Sequence, residues 1–345
     1  MMGRLGASPG RLRVGLGLLS SGLFVYLAVR SVDWARTAAS LRDADWLLVA
    51  AGAVALVATF GVFAARWSVL LSGTARLPLR DTFSYVMIGY LANTVLPLRL
   101  GDVARATLLG RRHGLESASV LGSILLERVL DLLSLLLLIL ALSFVVDVPP
   151  LVRAGMTMLG GGTLAALIGM AALAMARDRL TGLAERLPRA VPRRPVERML
   201  GLVDQFARGL TVLRDGRQLG QSLALSGLAW AVAGAGMYCW VEAFRLPVPW
   251  YAGLFVLAVI NLGGSIPSSP GGIGVYHFMA VLALSVWVPD TSAALGFAIG
   301  THGVNLLLNV AIGALCLAKE GLAFRSLTVL PNYRSVAPRS GAAPV

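Results

Sequence analysis

Ile266-Pro267-Ser268-Ser269-Pro270-Gly271-Gly272-Ile273-Gly274 stands in the middle of an otherwise apolar stretch, residues 246–289. Proline lacks the N–H donor and clashes with the preceding turn, so this density of proline and glycine stops a helix. The arms on either side, 251–266 and 275–288, would rise only ~21–24 Å as helices, against the roughly 30 Å of hydrocarbon that a spanning helix crosses. That length suits a hairpin which dips in and returns by the same side. A second break has the same character: residues 82–98 run apolar into Leu96-Pro97-Leu98-Arg99-Leu100-Gly101-Asp102. The two tips share an apolar residue, Pro, three residues and Gly, as Leu96-Pro97 to Gly101 and Ile266-Pro267 to Gly271.

Outward from these breaks lie four long stretches free of Asp, Glu, Lys and Arg: 46–65, 154–176, 218–241 and 291–318. Each reaches the ~20 apolar residues needed for a crossing. Residues 14–29 and the pattern from 117 to 146 supply two more. The first of these is read as a retained helix, because Arg30 rather than a small-residue cleavage motif follows Val29. With 57% hydrophobic and 14% charged residues and a mean hydropathy of +0.77, an ordinary soluble composition is excluded. The expected fold class is an all-α polytopic membrane protein with about six full spans plus two re-entrant broken helical hairpins. Broken segments at corresponding places in two halves point to an inverted repeat with a polar cavity between the tips. The halves are 1–147, with the inner hairpin at 81–112, and 148–319, with the outer hairpin at 251–289.

Thirty basic residues against seventeen acidic ones give a net charge of +13. The basic side chains fall in short clusters between apolar runs, which reads as membrane orientation and argues against a nucleic-acid partner. With an inner start, 24 of the thirty lie in inner segments, including residues 66–80, and Arg128 lies within a span. Both termini are therefore expected in the cytoplasm of a prokaryote, with the chain multi-pass in its plasma membrane. Cys239 and Cys316 sit inside apolar segments and form no disulfide framework. Residues 177–217 form a basic loop with Pro188, Pro192 and Pro195. Met199, Leu202, Val203, Phe206, Leu210 and Leu213 recur there at helical spacing, predicting a helix that lies on the anionic inner surface or packs on the bundle. Residues 320–345 read as a mostly disordered tail.

Ionisable residues at membrane depth usually face a cavity or a partner. Glu127, Arg128 and Asp131 lie inside the apolar pattern from 117 to 146. Glu127 and Asp131, at i and i+4, share a face and repel unless a cation intervenes. Arg99, Asp102 and Arg105 follow the inner break, where a helix restarts near Asp102. Arg99 and Arg105 suit a lipid phosphate or act as inner-side anchors, and either is a partner for Glu127. A buried ion-pair network that only fixes the hairpin is the structural alternative. Gly271, Gly272 and Gly274 precede the second outer arm and leave backbone N–H groups for an anion, or simply make a tight turn. His302, Asn305 and Asn309 form a polar stripe on the last span, which lines the cavity or bonds between helices; His277 is read as cavity-lining. No zinc spacing, Walker loop, nucleophile elbow or dinucleotide fingerprint occurs in a fitting context, so neither an enzyme nor a cofactor is expected.

Taken together, Asn93-x3-Pro97-x-Arg99-x-Gly101-Asp102-x2-Arg105, Glu127-Arg128-x2-Asp131 and Pro267-x2-Pro270-Gly271-Gly272-Ile273-Gly274 resemble the flippase-like, lysylphosphatidylglycerol synthase transmembrane region family. The order and spacing span nearly the whole chain. In full-length synthases this membrane module is joined to a cytosolic aminoacyl-transfer domain and is implicated in moving the aminoacylated lipid between leaflets. The resemblance implies a stand-alone module here, a translocase of a membrane phospholipid or a polyprenyl-phosphate-linked lipid, and does not carry over the lysyl lipid. The rival expectation is an accessory membrane subunit whose partner is a glycosyltransferase or synthase, docked through the basic loop.

Overall fold

The computed structural model describes residue 19 and residues 22–30, 32–96, 100–185, 193–266 and 269–328, with the side chains of 177–198 and 325 left aside. Every regular element among them is helical. In chain order these are α1 (22–29), α2 (Trp34–Arg42), α3 (Trp46–Leu71), α4 (Leu79–Val95), α5 (Gly101–His113) and α6 (Ser117–Leu142), then α7 (Pro150–Glu185), α8 (Arg193–Arg208), α9 (Gly216–Ala243), α10 (Ala252–Gly263), α11 (Val275–Leu284) and α12 (Thr291–Lys319). Four helices start on an aspartate whose carboxylate takes first-turn N–H groups: Asp33, Asp45, Asp215 and Asp290 cap α2, α3, α9 and α12. These caps satisfy donors that no intrahelical carbonyl reaches.

Among the described residues four helices are long and apolar enough to cross a membrane: Trp46–Leu71, Pro150–Ala176, Gly216–Ala243 and Thr291–Lys319. Their exposed side chains are often large and apolar, as at Met158, Ile168, Leu307 and Leu315, a surface suited to hydrocarbon rather than water. The helix α6 is equally long but carries Glu127, Arg128 and Asp131. Most of the span read at 14–29 lies outside the described residues.

One reading of the sequence needs correction. Arg66, assigned to an inner loop with the span ending at residue 65, is fully buried within α3, which runs on through Trp67, Leu70 and Leu71. Neutralisation by buried carboxylates lets the apolar helix continue past a guanidinium. In the basic loop a helix forms where the spacing from Met199 predicts one, as α8 from Arg193 to Arg208, and α7 continues to Glu185. The end of α8 packs on the bundle, where Gly209 lies against the Ser119 carbonyl and Gly122 of α6 and Leu210 is buried. Met199 and Leu202 stay exposed. Of the tail, residues 329–345 lie outside the described residues, whereas Leu327 is buried.

Both breaks are present as interruptions between short helices. At 17, 13, 12 and 10 residues for α4, α5, α10 and α11, each rises ~15–26 Å. The α4 helix ends at Leu96 in extended backbone, and the α10–α11 turn passes through Gly271, Gly272 and Gly274, all at positive φ, where a Cβ would clash. Packing repeats between the halves: α3 on α4 as α9 on α10, α5 on α6 as α11 on α12, and α12 on α4 as α6 on α10. The halves meet along α3 and α9, where Gly52 and Gly236 allow backbone contact, as small residues do between membrane helices. The Trp240 indole N–H, on α9, donates to the Val49 carbonyl of α3 at 3.0 Å.

Candidate functional site

Six ionic side chains from three helices form one alternating row. The Asp131 carboxylate accepts from Arg66 Nη1 at 2.5 Å, and Arg66 Nη2 lies 3.8 Å from Glu127. Glu127 takes both oxygens' bonds from Arg105 Nη2 at 3.2 Å. Arg105 Nε is 3.6 Å from Asp102, and Asp102 receives Arg128 through Nε at 3.1 Å and Nη2 at 2.8 Å. Among the described residues the row holds three guanidinium groups and three carboxylates, a balance that limits the cost of removing them from water. Aromatic faces cover the inner members: the Arg105 guanidinium lies 4.6 Å from the Trp67 ring centre and that of Arg66 4.8 Å from Phe63. Glu127 and Asp131 thus share a helix face because Arg66 comes between them.

Local sequence sets the inner bend. Asn93 Oδ1 accepts the Gly101 N–H at 2.9 Å, satisfying a donor that the restarting helix cannot. Gly101 lies against the Gly89 carbonyl and Asn93, and Gly89 in turn against the Arg105 stem. The α4–α5 approach therefore depends on two missing side chains. Asp102 falls in the first turn of α5, but its carboxylate goes to arginines and not to the cap.

A cavity of about 700 Å³ lies between the two breaks. Asn93, Thr94 and Leu96 line it from the inner bend; Ser265, Ile266, Ser269, Gly271 and Gly272 line it from the outer one. The bends nearly touch, since a Cβ on Gly271 would stand 3.6 Å from the Thr94 carbonyl. Asp102, Arg128 and Asp131 open onto the cavity, whereas Arg66, Arg105 and Glu127 are sealed behind it, each at most 1% exposed. Leu132, Leu135, Met237, Leu257 and Ile260 make a second, apolar wall. The space is amphipathic.

On α12, His302 and Asn305 line the cavity together with Asn309. His302 Nε2–H donates to the Gly271 carbonyl at 2.9 Å, and its ring stacks on Tyr276 at 4.2 Å. This contact ties the outer bend to the last helix. His277 packs edge-on against His302 and accepts the Gly274 N–H at 3.3 Å. The Gly272 N–H goes to the Ser269 carbonyl, so these two glycines use their donors within the turn and do not hold them out for an anion. Pro270 opens that turn. Pro97, Arg99 and Pro267 lie outside the described residues.

Sequence reasoning missed Arg66, Tyr90, Trp230 and Asn261, all of which line the cavity except the sealed Arg66. For Asn261 a signal existed: a lone amide in the apolar arm 251–266. For Arg66 the signal was the apolar run 67–71 beyond it. Among the described residues no three His, Cys, Asp or Glu side chains group as metal ligands would.

Against known proteins, a family model described as the lysylphosphatidylglycerol synthase TM region matches residues 14–313. Glycosyltransferase AglD of Haloferax volcanii is 26% identical over 340 residues, covering 88% of this chain and 54% of that protein. The chain thus spans about half the length of that relative. A UPF0104 membrane protein of Methanothermobacter thermautotrophicus is also 26% identical, over 86% of this chain and 92% of its own. No solved structure gives a significant match.

Proposed function

This chain belongs to the lysylphosphatidylglycerol synthase transmembrane-region family, a multi-pass membrane family, and on that footing we propose that it translocates an amphiphile, a lipid or lipid-linked saccharide, between leaflets. The observation that carries this reading is the amphipathic cavity bounded by both helix breaks. In this scheme α4–α5 enters from the inner leaflet and α10–α11 from the outer, with both termini inside, as the arm lengths and the repeated packing support. A polar headgroup crossing bare hydrocarbon loses its water hydrogen bonds. The wall made by Asn93, Asp102, Arg128, Asp131 and Asn305 replaces them, while acyl chains follow the leucine-rich wall. The sealed Arg66, Arg105 and Glu127 hold the cavity-facing charges in place as positioning residues, and the chain performs no chemical step. Archaeal relatives support a prokaryotic plasma membrane as its location.

The test is reconstitution of the purified chain in liposomes carrying NBD-labelled lipids of several headgroup classes, with dithionite reporting label in the outer leaflet. Accelerated exchange of at least one class, abolished by Asp131→Leu, is the expected result. Equal rates in empty vesicles and proteoliposomes for every class would remove the reading. A second reading is favoured by the part of the Haloferax relative that lies outside the match: an accessory subunit for a separate glycosyltransferase or synthase. It predicts that replacing residues 186–198 by a glycine-serine linker abolishes copurification of such a partner while Asn305→Leu leaves function intact.

A further inference from the structure

Resting on the translocase reading, we infer that the headgroup this cavity accepts is an uncharged saccharide, in preference to an aminoacyl cation or a bare phosphate. Among the described residues the charges that line the cavity are already engaged in ion pairs. Asp102 holds both Nε and Nη2 of Arg128, and Asp131 holds Arg66, whose guanidinium has no access to solvent. An ammonium entering to meet Asp131 would take from Arg66 its closest carboxylate and leave it Glu127 at 3.8 Å; a phosphate drawing Arg128 away would take from Asp102 the guanidinium that it holds through two nitrogens. Either exchange swaps an existing charge pair for a new one and leaves a counter-charge buried.

What the cavity holds in reserve is neutral. Asn309 Nδ2 donates to Asn305 Oδ1 at 2.8 Å, which leaves the Asn309 Oδ1 acceptor buried without a partner. Trp230 Nε1–H is likewise buried and unpartnered, and both residues line the cavity. Asn93 and Asn261 each use one end of the amide on the backbone, at Gly101 N and Leu257 O, and keep the other. The result is interleaved donors and acceptors without charge. A sugar hydroxyl both donates and accepts, so a polyol satisfies such a set, whereas a phosphate can only accept and an ammonium can only donate. Aromatic rings at Phe60, Phe63 and Trp230 are also among the cavity-lining side chains, a residue type whose apolar surface suits the C–H side of a pyranose. Two buried polar atoms without partners are costly to maintain empty; a hydroxylated ligand supplies what they lack.

The experiment compares three acyl-NBD lipids on the full chain: monoglucosyl diacylglycerol, phosphatidic acid and lysyl-phosphatidylglycerol. Binding is read in nanodiscs from NBD fluorescence, and movement in proteoliposomes from dithionite. Expected is a glucosyl lipid bound at least about ten-fold more tightly than either charged lipid, weakened about ten-fold by Trp230→Phe, which keeps the ring and loses the N–H, and by Asn309→Leu. Tighter binding and faster movement of a charged lipid would overturn the saccharide inference and leave the translocase reading standing. Preferred binding of the glucosyl lipid with no movement of any lipid would do the reverse. Absence of both binding and movement would remove both. The three-lipid comparison needs no variant, so it decides even where a substitution impairs folding.

Discussion

Arg66 on α3 and Asp131 on α6 are joined at 2.5 Å from Nη1 to Oδ1, and the same nitrogen reaches Ser226 of α9 at 3.0 Å. One buried guanidinium thereby fastens both central helices of the two halves to the helix that carries the charged wall. Removing one partner of a buried pair leaves the other uncompensated.

Arg66→Met should therefore destabilise the protein by about 3–5 kcal/mol, with a clear fall in melting temperature in detergent. Arg66→Met combined with Asp131→Asn should recover a large part of that loss, because one charge of each sign is then removed. Simple additivity of the two single effects, measured by thermal melts of all four proteins, would contradict the pairing.

Asn93→Ala should cost about 1–2 kcal/mol, since the Gly101 N–H loses its acceptor inside the bend. Hydrogen exchange localises the effect: the amide at residue 101 should exchange faster while those in the middle of α9 do not change.

The two bends should respond differently to an added methyl group. At Gly101 a Cβ meets the Gly89 carbonyl, so Gly101→Ala should cost about 3 kcal/mol by overpacking. At Gly272 nothing lies within 4 Å and only the positive φ opposes the change, so Gly272→Ala should cost about 1 kcal/mol. Denaturation of the two variants under identical conditions gives the ranking.

His302→Phe keeps a ring against Tyr276 but loses the bond to the Gly271 carbonyl. Translocation should fall several-fold with a stability loss near 1 kcal/mol; an unchanged rate would show that this tie does not matter to function.

Topology is tested by single cysteines in a Cys239→Ser, Cys316→Ser background. Arg80→Cys and Arg112→Cys, at the ends of α4 and α5 remote from the break, should both react with an impermeant maleimide only from the inside. Trp250→Cys and Ser285→Cys, flanking α10 and α11, should both react only from the outside. Labelling of either pair from opposite faces would turn that hairpin into a single crossing.

Much of this architecture was legible because it depends on local chemistry. Proline and glycine at 97 and 267–274 interrupt apolar runs, and a Glu-Arg-x2-Asp group inside a long apolar helix demands partners. Arg66 was not legible by the same logic. A cation at the edge of an apolar run looks like a membrane flank; the short apolar run 67–71 hints otherwise, but the carboxylates that hold it, at 127 and 131, are more than sixty positions away. The division of labour among the ionic residues was equally hidden: Arg105 and Asp102 are three residues apart on one helix, yet Arg105 is sealed and Asp102 opens onto the cavity. Helical rotation relative to neighbouring elements sets that difference, and periodicity alone does not supply it. Asn261 and Trp230 were passed over because an amide and an indole in apolar runs read as ordinary helix contacts.

An alternating row of six charges that sums to zero also constrains how this protein drifts over generations. A lineage that drops the Arg105 cation inherits an orphan at Glu127, and one that drops Asp102 inherits a misfit at Arg128. Substitutions along the row should accordingly arrive as couples, 66 with 131, 105 with 127 and 128 with 102.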